Sequence, residues 1–484
     1  MRKLIPVLFA TALVASMPAE AVPPAASRPN VVLVIADDLN DWVGALGGHP
    51  QARTPRIDAF ATRGINFLNA HCQAPLCGPS RASLLSGRFP GTTGIYGLIA
   101  DEDVKPAVGA DHPLLPEAFA QAGYETYAVG KILHNAAPPG LFQHFGGRHP
   151  GFGPAPAERV HWKDKGTNSD WGPYPQSDEE MPDLVSAHWA EKVLAEHHDR
   201  PFFLAVGLLR PHVPWHVPQK WFDLQAPLRE IQTPRVLPDD LADVPPAARA
   251  LAYYPMMPTL GWMIAEDQWR EATRAYLACI TFTDAMFGRI LDALAASPYA
   301  ENTVVVFISD NGYHVGEKDR FTKMSLWERS IRVPFMIAGP GVPRARRTDL
   351  PVGLIDLYPT LMDLCGLPAP AGLEGADLVP HLRDPQALAG RTVLTTFGRG
   401  NHSLRDERYR YTRYADGGAE LYDHLTDPDE WFNLAGRPES AAVEAALAGR
   451  LPTRDHAWVA TSAYEMSAAL SAQRARDLAS PPQR

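Results

Sequence analysis

Cysteine is scarce in this chain, which excludes one large class of exported proteins. Four cysteines among 484 residues cannot form the dense disulfide framework of a small secreted scaffold. Cys279 falls inside a long helical pattern, and Cys365 ends a shorter one. We expect both of these side chains to lie in the core.

Basic residues are also outnumbered by acidic ones, with 45 lysines and arginines against 55 aspartates and glutamates. The formal net charge is −10, which argues against a nucleic acid as partner. An anionic substrate would have to be attracted by cations gathered at one site, because the overall field repels it.

No apolar run is long enough to cross a bilayer comfortably. The N-terminus has the pattern of an export signal instead: Arg2 and Lys3 precede the apolar stretch 4–17, and Ala19-Glu20-Ala21 offers a cleavage site. No cysteine follows that could carry a lipid, and no twin arginine is present. We predict a signal peptide over residues 1–21 and a periplasmic or secreted protein without membrane contact after cleavage. A retained N-terminal anchor is the alternative.

Four apolar runs read as buried parallel strands, and polar side chains follow each of them. Ligands of open α/β sheets bind beyond the carboxyl ends of the strands, so the four groups are expected to share one crevice. The runs and the residues that follow them are 31–36 with Asp37 and Asp38, 124–130 with Lys131 and His134, 202–208 with Arg210 and His212, and 304–309 with Asp310 and Asn311.

Helical patterns alternate with these strands. They cover 114–121, 183–196 with Asp183 as N-cap, 268–295 and 355–364. This alternation predicts an α/β fold in which helices sandwich a large, mostly parallel sheet. Chain length alone favours about three domains, but one large and one small domain are equally allowed.

After residue 387 the sequence pattern changes to that of short strands, at 391–397, 403–414 and 419–424. A helical pattern follows at 440–451. We predict a catalytic domain over residues 28–387. A small C-terminal α+β subdomain, an antiparallel sheet plus a helix, is predicted over 388–484.

Two proline-rich segments, about 136–182 and 211–262, lack clear periodicity. Long irregular segments of a compact enzyme often bind substrate. Poorly ordered surface is the alternative for parts of both.

The most specific motif is the run Cys77-Gly78-Pro79-Ser80-Arg81-Ala82-Ser83-Leu84-Leu85-Ser86-Gly87-Arg88. Cys77 stands just before a helical pattern at 80–85, where free amides and the helix dipole favour an anion. Arg81 adds a cation one turn further on. For an isolated cysteine, a small buried side chain beside a turn would be the simpler interpretation.

The whole twelve-residue run resembles the signature of the sulfatases, the formylglycine-dependent members of the alkaline-phosphatase-like superfamily. The resemblance implies that a formylglycine-generating maturation enzyme oxidises Cys77 to an aldehyde. In the family, one hydroxyl of the aldehyde hydrate attacks sulfur and expels the alcohol, and the second then eliminates the sulfate. A bridge between Cys72 and Cys77 would remove this nucleophile, so we predict none.

The resemblance extends from about residue 30 to about residue 434, with gaps in the proline-rich loops. The stretch 402–411, together with Glu420-Leu421-Tyr422-Asp423 and Asp427-Pro428, is similar to the C-terminal subdomain of the family, closest to the iduronate-2-sulfatase branch. One departure is Asn311, because that branch often carries histidine there.

Asp37, Asp38, Asp310 and Asn311 supply only oxygen ligands, which suit a hard cation and favour Ca²⁺ over Mg²⁺. The family binds a divalent cation with these positions and with the modified residue 77, here Cys77. Taken alone, an Asp-Asp pair after a strand could equally cap a helix or face solvent.

The resemblance also implies roles for the remaining polar residues. Arg81 would orient the nucleophile, and Lys131 would bind the sulfate or the aldehyde hydrate. His134 would bond the hydrate and act as base for elimination. His212 would protonate the leaving oxygen, since imidazole titrates near neutrality, and Lys323 would be the second sulfate-binding lysine.

His314, Arg210 and Trp215 are weaker candidates for substrate contact, with loop packing as the alternative. The expected function is hydrolysis of a sulfate ester on a sulfated saccharide, in the manner of iduronate 2-sulfatase. The alternatives are a phosphonate monoester or phosphodiester hydrolase of the same superfamily and a non-catalytic protein that binds sulfated glycans.

Overall fold

The computed structural model describes residues 28–163 and 167–479, so the predicted signal peptide lies outside the described residues. The strands are β1 (Asn30–Asp37), β2 (Ile65–Phe67), β3 (Ala70–His71), β4 (Glu125–Gly130), β5 (His144–Phe145), β6 (Trp171–Pro173), β7 (Phe202–Pro211), β8 (Trp215–Val217), β9 (Thr303–Ser309), β10 (Phe335–Ala338), β11 (Arg346–Thr348), β12 (Val352–Gly353), β13 (Val393–Thr396), β14 (His402–Arg405), β15 (Tyr409–Arg413) and β16 (Ala419–Asp423).

The α-helices are α1 (Pro55–Arg63), α2 (Cys77–Ser86), α3 (Pro90–Thr93), α4 (Asp101–Val108), α5 (Leu115–Gln121), α6 (Pro182–Ala195), α7 (Gln219–Asp223), α8 (Pro246–Ala252), α9 (Leu260–Ala265), α10 (Trp269–Ala296), α11 (Glu328–Ile331), α12 (Leu357–Leu364), α13 (Val379–Arg383), α14 (Ala441–Ala448) and α15 (Ala468–Ala479). None of these described helices is both long and apolar enough to cross a membrane.

An eight-stranded sheet in the order β11-β2-β10-β9-β1-β7-β4-β5 forms the centre of the molecule. Its pairings are parallel except those of β10 with β9 and β2. The four strands predicted from apolar runs are its neighbours β9, β1, β7 and β4. Their register aligns their carboxyl ends, with Ala36 opposite Ser309 and Gly130 opposite Gly207. The polar residues that follow therefore meet at one edge of the sheet.

Both faces of this sheet are covered, which confirms the predicted α/β fold. Val32 and Val34 of β1 point into one core, which α6 and α10 close. Val31 and Leu33 point into the other, which includes residues of α2, α5 and α12. This alternation explains why the strand is apolar at every position.

A separate antiparallel sheet, in the order β13-β14-β15-β16, follows in the chain. Leu404 and Leu421 on its strands pack with Leu447 of α14. The small antiparallel sheet with its helix thus matches the predicted C-terminal architecture, while the domain boundary at 387/388 stays a prediction.

The N-cap expectation for Asp183 is wrong. Helix α6 begins at Pro182 after Met181, and no side chain caps it. The Asp183 carboxylate instead accepts hydrogen bonds from the amides of Leu209 (2.6 Å) and Arg210 (3.0 Å). It satisfies two backbone N–H groups near the end of β7, where the pairing with β1 shifts register.

Candidate active site

Cys77 is the first residue of α2, so the helix begins three residues earlier than its sequence pattern suggested. The side chain is 2% exposed, and it lies where the helix dipole favours negative charge. All four cysteines are buried and unpaired, which confirms the core positions predicted for Cys279 and Cys365. Burial raises the pKa of the Cys77 thiol and outweighs the opposing effect of Lys131 and Lys323.

Arg81, one turn into α2, is completely buried and links the ends of two strands. Its Nε donates to the Asp310 carboxylate (2.7 Å), and its Nη1 donates to the carbonyl of Ile132 (3.2 Å) and to that of Lys131. Its Nη2 lies 3.8 Å from Asp37. The guanidinium thereby fixes α2, and Cys77 with it, against the sheet edge.

Two lysines converge on the same point. Lys131 Nζ lies 2.5 Å from an Asp37 oxygen. Lys323 Nζ contacts the Asp38 carboxylate and lies 2.9 Å from Cys77 Sγ. Their positions beside the thiol provide the local cations that an anionic substrate of an acidic protein requires.

The oxygen cluster beside these lysines fits a divalent cation. Among the buried side-chain atoms of the described residues, Oδ1 of Asp37, Oδ2 of Asp38 and Oδ1 of Asn311 have no hydrogen-bond partner. Ligand atoms of Asp37, Asp38 and Cys77 lie within 4.8 Å of one another. Unpaired buried carboxylate and amide oxygens are strongly disfavoured unless a cation or a donor reaches them.

Asp310 stands slightly apart from this cluster. One of its oxygens accepts from Arg81, and the other accepts from the backbone amide of Asp38 (3.1 Å). That contact accompanies a left-handed backbone at Asp38, whose φ is 63°. The turn directs the Asp38 side chain to Asn311, which donates to it at 2.8 Å.

The two neighbouring carboxylates of Asp37 and Asp38 have pKa values shifted in opposite directions. Burial would raise the pKa of Asp37, but Lys131, His212 and Arg81 bring it well below its ordinary value. Burial raises the pKa of Asp38 to about 6 in spite of Lys323. A cation at the unpaired oxygens would favour the ionised form of both carboxylates.

The two candidate histidines border the same cluster. His134 lines the same cavity as Cys77, and burial together with Lys131 and Lys323 lowers its pKa to about 3, so its ring is neutral. His212 Nε2 lies 3.7 Å from Asp38, and its Nδ1 lies 2.6 Å from the carbonyl of Val213. Donation from Nδ1 leaves Nε2 pointing at the site. Burial lowers the pKa of His212 well below its ordinary value in spite of the nearby Asp37, so the ring is neutral there.

All six expected catalytic residues thus gather at one edge of the sheet, beside a cavity of about 250 Å³. Sequence reasoning missed other residues of its lining, among them Phe152 and Tyr464. Phe152 stacks on the His212 ring at a centroid distance of 4.4 Å. Only its position in a proline-rich loop hinted at a role near the site.

The three weaker candidates all serve loop packing in this structure. His314 is buried and bonds the Ser325 hydroxyl (2.9 Å). Arg210 is buried and donates to main-chain carbonyls of the surrounding loops, including that of Phe152 (3.0 Å). Trp215 is 1% exposed and packs against neighbouring tyrosine rings.

Comparison with known proteins agrees with this geometry. The sulfatase family model matches residues 29–367, and a model described as the C-terminal region of N-sulphoglucosamine sulphohydrolase matches residues 316–456. A sulfatase of Formosa agariphila is 42% identical over 451 residues, covering 90% of this chain and 89% of that protein.

The iduronate 2-sulfatase of Mus musculus is 30% identical over 428 residues, covering 73% of this chain and 74% of its own length. A solved structure described as a 2-O GAG sulfatase superposes with a TM-score of 0.68 at 25% identity, covering 87% of this chain and 90% of the other. The chain therefore belongs to the sulfatase family and is a sulfuric ester hydrolase.

Proposed function

We propose that this enzyme removes sulfate from a sulfated saccharide, and that a 2-O-sulfated uronate is its leading candidate substrate. The observation that carries the proposal is the convergence of Cys77, two lysines and unpaired carboxylate oxygens beside one cavity. The choice of saccharide is supported by the printed descriptions of two similar proteins, an iduronate 2-sulfatase and a 2-O GAG sulfatase.

In the proposed mechanism, residue 77 acts after a maturation enzyme has converted its thiol to formylglycine, whose hydrate supplies the nucleophile for sulfate transfer. Lys131 and Lys323 bind sulfate oxygens and neutralise their charge. Arg81 holds the start of α2, and hence the nucleophile, in line with the sulfur. Electrostatic complementarity of this kind lowers the barrier most where the site excludes water.

Proton transfer is assigned to the two histidines. The negative charge of a bound sulfate ester would raise the pKa of His212 again, so that the ring donates a proton from Nε2 to the leaving oxygen; its stacking on Phe152 fixes the ring plane. His134 accepts a proton from residue 77 when sulfate is eliminated. Each transfer contributes about a hundredfold or more to the rate of such reactions.

The proposed cofactor is one Ca²⁺ ion held by Asp37, Asp38, Asn311 and residue 77, with Asp310 as a further ligand. When bound, the ion neutralises charge on the sulfate group. The oxygens of Asp37, Asp38 and Asn311 that have no partner are available for it.

Residues 1–21 are proposed to direct export to the periplasm or medium and to be removed there. N-terminal sequencing of the mature protein tests this, because a chain that starts at residue 22 is expected. A mature chain that keeps Met1 would contradict it.

A panel of esters tests the function. Wild-type enzyme with Ca²⁺ and formylglycine is assayed on a 2-O-sulfated uronate disaccharide, 6-O-sulfated glucosamine, 4-nitrophenyl sulfate and bis(4-nitrophenyl) phosphate. We expect the fastest turnover on a saccharide sulfate. Faster phosphodiester cleavage would favour a phosphodiester or phosphonate hydrolase, and glycan binding without sulfate release would favour a non-catalytic binding protein.

A further inference from the structure

The segment 456–467, which follows the small antiparallel sheet and its helix, returns to the mouth of the active-site cavity. It pairs with the loop after α3: Leu98 and Ala463 exchange two backbone hydrogen bonds, at 2.7 and 2.8 Å. The Ser462 hydroxyl also accepts from the Gly97 amide (2.9 Å). A distant part of the chain is thereby anchored beside the loop that follows α3.

Gly97 explains how closely the two segments approach. A Cβ atom at Gly97 would lie 2.6 Å from the carbonyl carbon and oxygen of Ala463, which is closer than atoms can pack. Only glycine permits this separation. The register of the next residues, Tyr464 to Met466, relative to the cavity is therefore fixed.

Tyr464 enters the cavity wall from this segment. Its side chain lines the cavity together with Cys77 and Lys323, and the residue is only 6% exposed. Burial raises its pKa well above the ordinary value, so the phenol keeps its proton. A protonated, positioned hydroxyl in a substrate cavity is a hydrogen-bond donor available to a ligand.

The partners of this hydroxyl are weak. Its hydrogen bonds among the described residues go to thioether sulfurs, that of Met466 at 3.5 Å and that of Met324. A thioether is a poor acceptor, whereas a buried tyrosine hydroxyl normally finds an oxygen or nitrogen partner. The donor is thus left without a strong acceptor in the protein.

The surroundings of Tyr464 indicate which part of a substrate it meets. Tyr464 belongs to an apolar cluster with Leu76, Met257, Met324 and Met466, and these residues line the cavity together with Lys323. Such a wall suits the uncharged part of the ester. An aromatic ring that carries a hydroxyl can pack on the apolar face of a sugar and bond one of its oxygens.

We propose that Tyr464 is a substrate-contacting residue that selects saccharide sulfates by donating a hydrogen bond to an oxygen of the sulfated sugar. This inference rests on the proposed function and extends it to a residue beyond the matched family regions, which end at residues 367 and 456. The residue takes no part in sulfur chemistry, so it should affect sugar esters and spare simple aryl sulfates.

The test compares Tyr464→Phe with wild type on the saccharide sulfate that wild type cleaves fastest and on 4-nitrophenyl sulfate, which has no sugar oxygen. We expect kcat/KM for the saccharide to fall about fivefold, the loss expected for one neutral hydrogen bond, mainly through KM. The rate on the aryl sulfate should stay within about twofold, because the ring and its packing are kept.

Tyr254→Phe is the matched control. Its ring lies 6.2 Å from that of Tyr464 but is not part of the cavity lining. It should leave both rates and the unfolding temperature unchanged.

Equal losses of Tyr464→Phe on both esters, a lowered unfolding temperature with parallel losses, or wild-type rates on both would overturn the inference about Tyr464 alone. Wild-type enzyme that hydrolyses 4-nitrophenyl sulfate but no saccharide sulfate would overturn the proposed substrate class. The two failures are therefore separate observations.

Discussion

The ammonium group of Lys323 lies 2.9 Å from Sγ of Cys77, across 246 positions of the sequence. The same ammonium contacts Asp38, so one cation joins the residue at the helix start to the carboxylate at the strand end. Each of these groups is buried and would be unfavourable alone. Their mutual contact offsets part of that cost.

Replacing the nucleophile is the first prediction. Cys77→Ala should reduce sulfate release to background, because alanine cannot become formylglycine, while the unfolding temperature should stay near that of wild type. Cys72→Ala is the matched control: Cys72 is also buried, five positions earlier, but does not line the cavity. We expect it to retain activity. Measurable turnover by Cys77→Ala would contradict the assignment.

Metal removal is the second prediction. Chelation should abolish turnover, and Ca²⁺ should restore it and raise the unfolding temperature. Binding at one hundred times Kd stabilises the folded state by about 2.7 kcal/mol. Asp38→Asn should show a much smaller shift with Ca²⁺, because one ionised ligand is lost. A chelated wild-type protein that Ca²⁺ does not stabilise would rule out the site.

The leaving group provides the third prediction. His212→Ala should slow a saccharide sulfate about a hundredfold, the usual contribution of a positioned acid. It should slow 4-nitrophenyl sulfate much less, since nitrophenolate leaves without a proton. His314→Ala is the control, because His314 packs the loop and any loss should be the same for both esters. Equal losses for His212→Ala would count against its role as acid.

The fourth prediction concerns pH and the first proline-rich segment. Burial would raise the pKa of Asp170, but the His216 ring, whose Nε2 lies 3.4 Å away, and hydrogen bonds from the amides of Val160 and His161 lower it to about 2. Because this folded value lies below the unfolded value of 3.8, the stabilisation is complete above about pH 4 and disappears as pH falls towards 2.

Urea unfolding of wild type and Asp170→Asn measures this contribution. The difference in free energy of unfolding should be about 2 kcal/mol at pH 6 and should narrow at pH 3. Asp199→Asn, at an exposed position, should have the same free energy of unfolding as wild type at both pH 6 and pH 3. A difference for Asp170→Asn that does not change with pH would contradict the ionic origin of this contribution.

The central sheet could be predicted from sequence because its strands are buried on both faces. That environment requires apolar residues at every position, and the polar residues after them mark the strand ends. Asp183 was misassigned because an aspartate at a helix start usually caps it. Here its carboxylate accepts hydrogen bonds from two backbone amides near the end of β7 instead. That pairing depends on the tertiary structure, so the sequence pattern cannot show it.

The site was predictable where motifs lie next to regular elements. Asp37 ends β1, Lys131 follows β4, and Cys77 begins α2. Lys323 lies in an irregular segment without periodicity, so only its resemblance to a family motif identified it. Tyr464 had no signal at all, because its position depends on pairing between Ala463 and Leu98.

The decisive measurement compares two quantities in preparations that differ in maturation. Peptide mass spectrometry gives the fraction of aldehyde at residue 77, and an activity assay gives the sulfate that each preparation releases. Sulfate release should rise in proportion to the aldehyde and vanish when only the thiol is present. Full activity from a protein that carries only the thiol at residue 77 would contradict it.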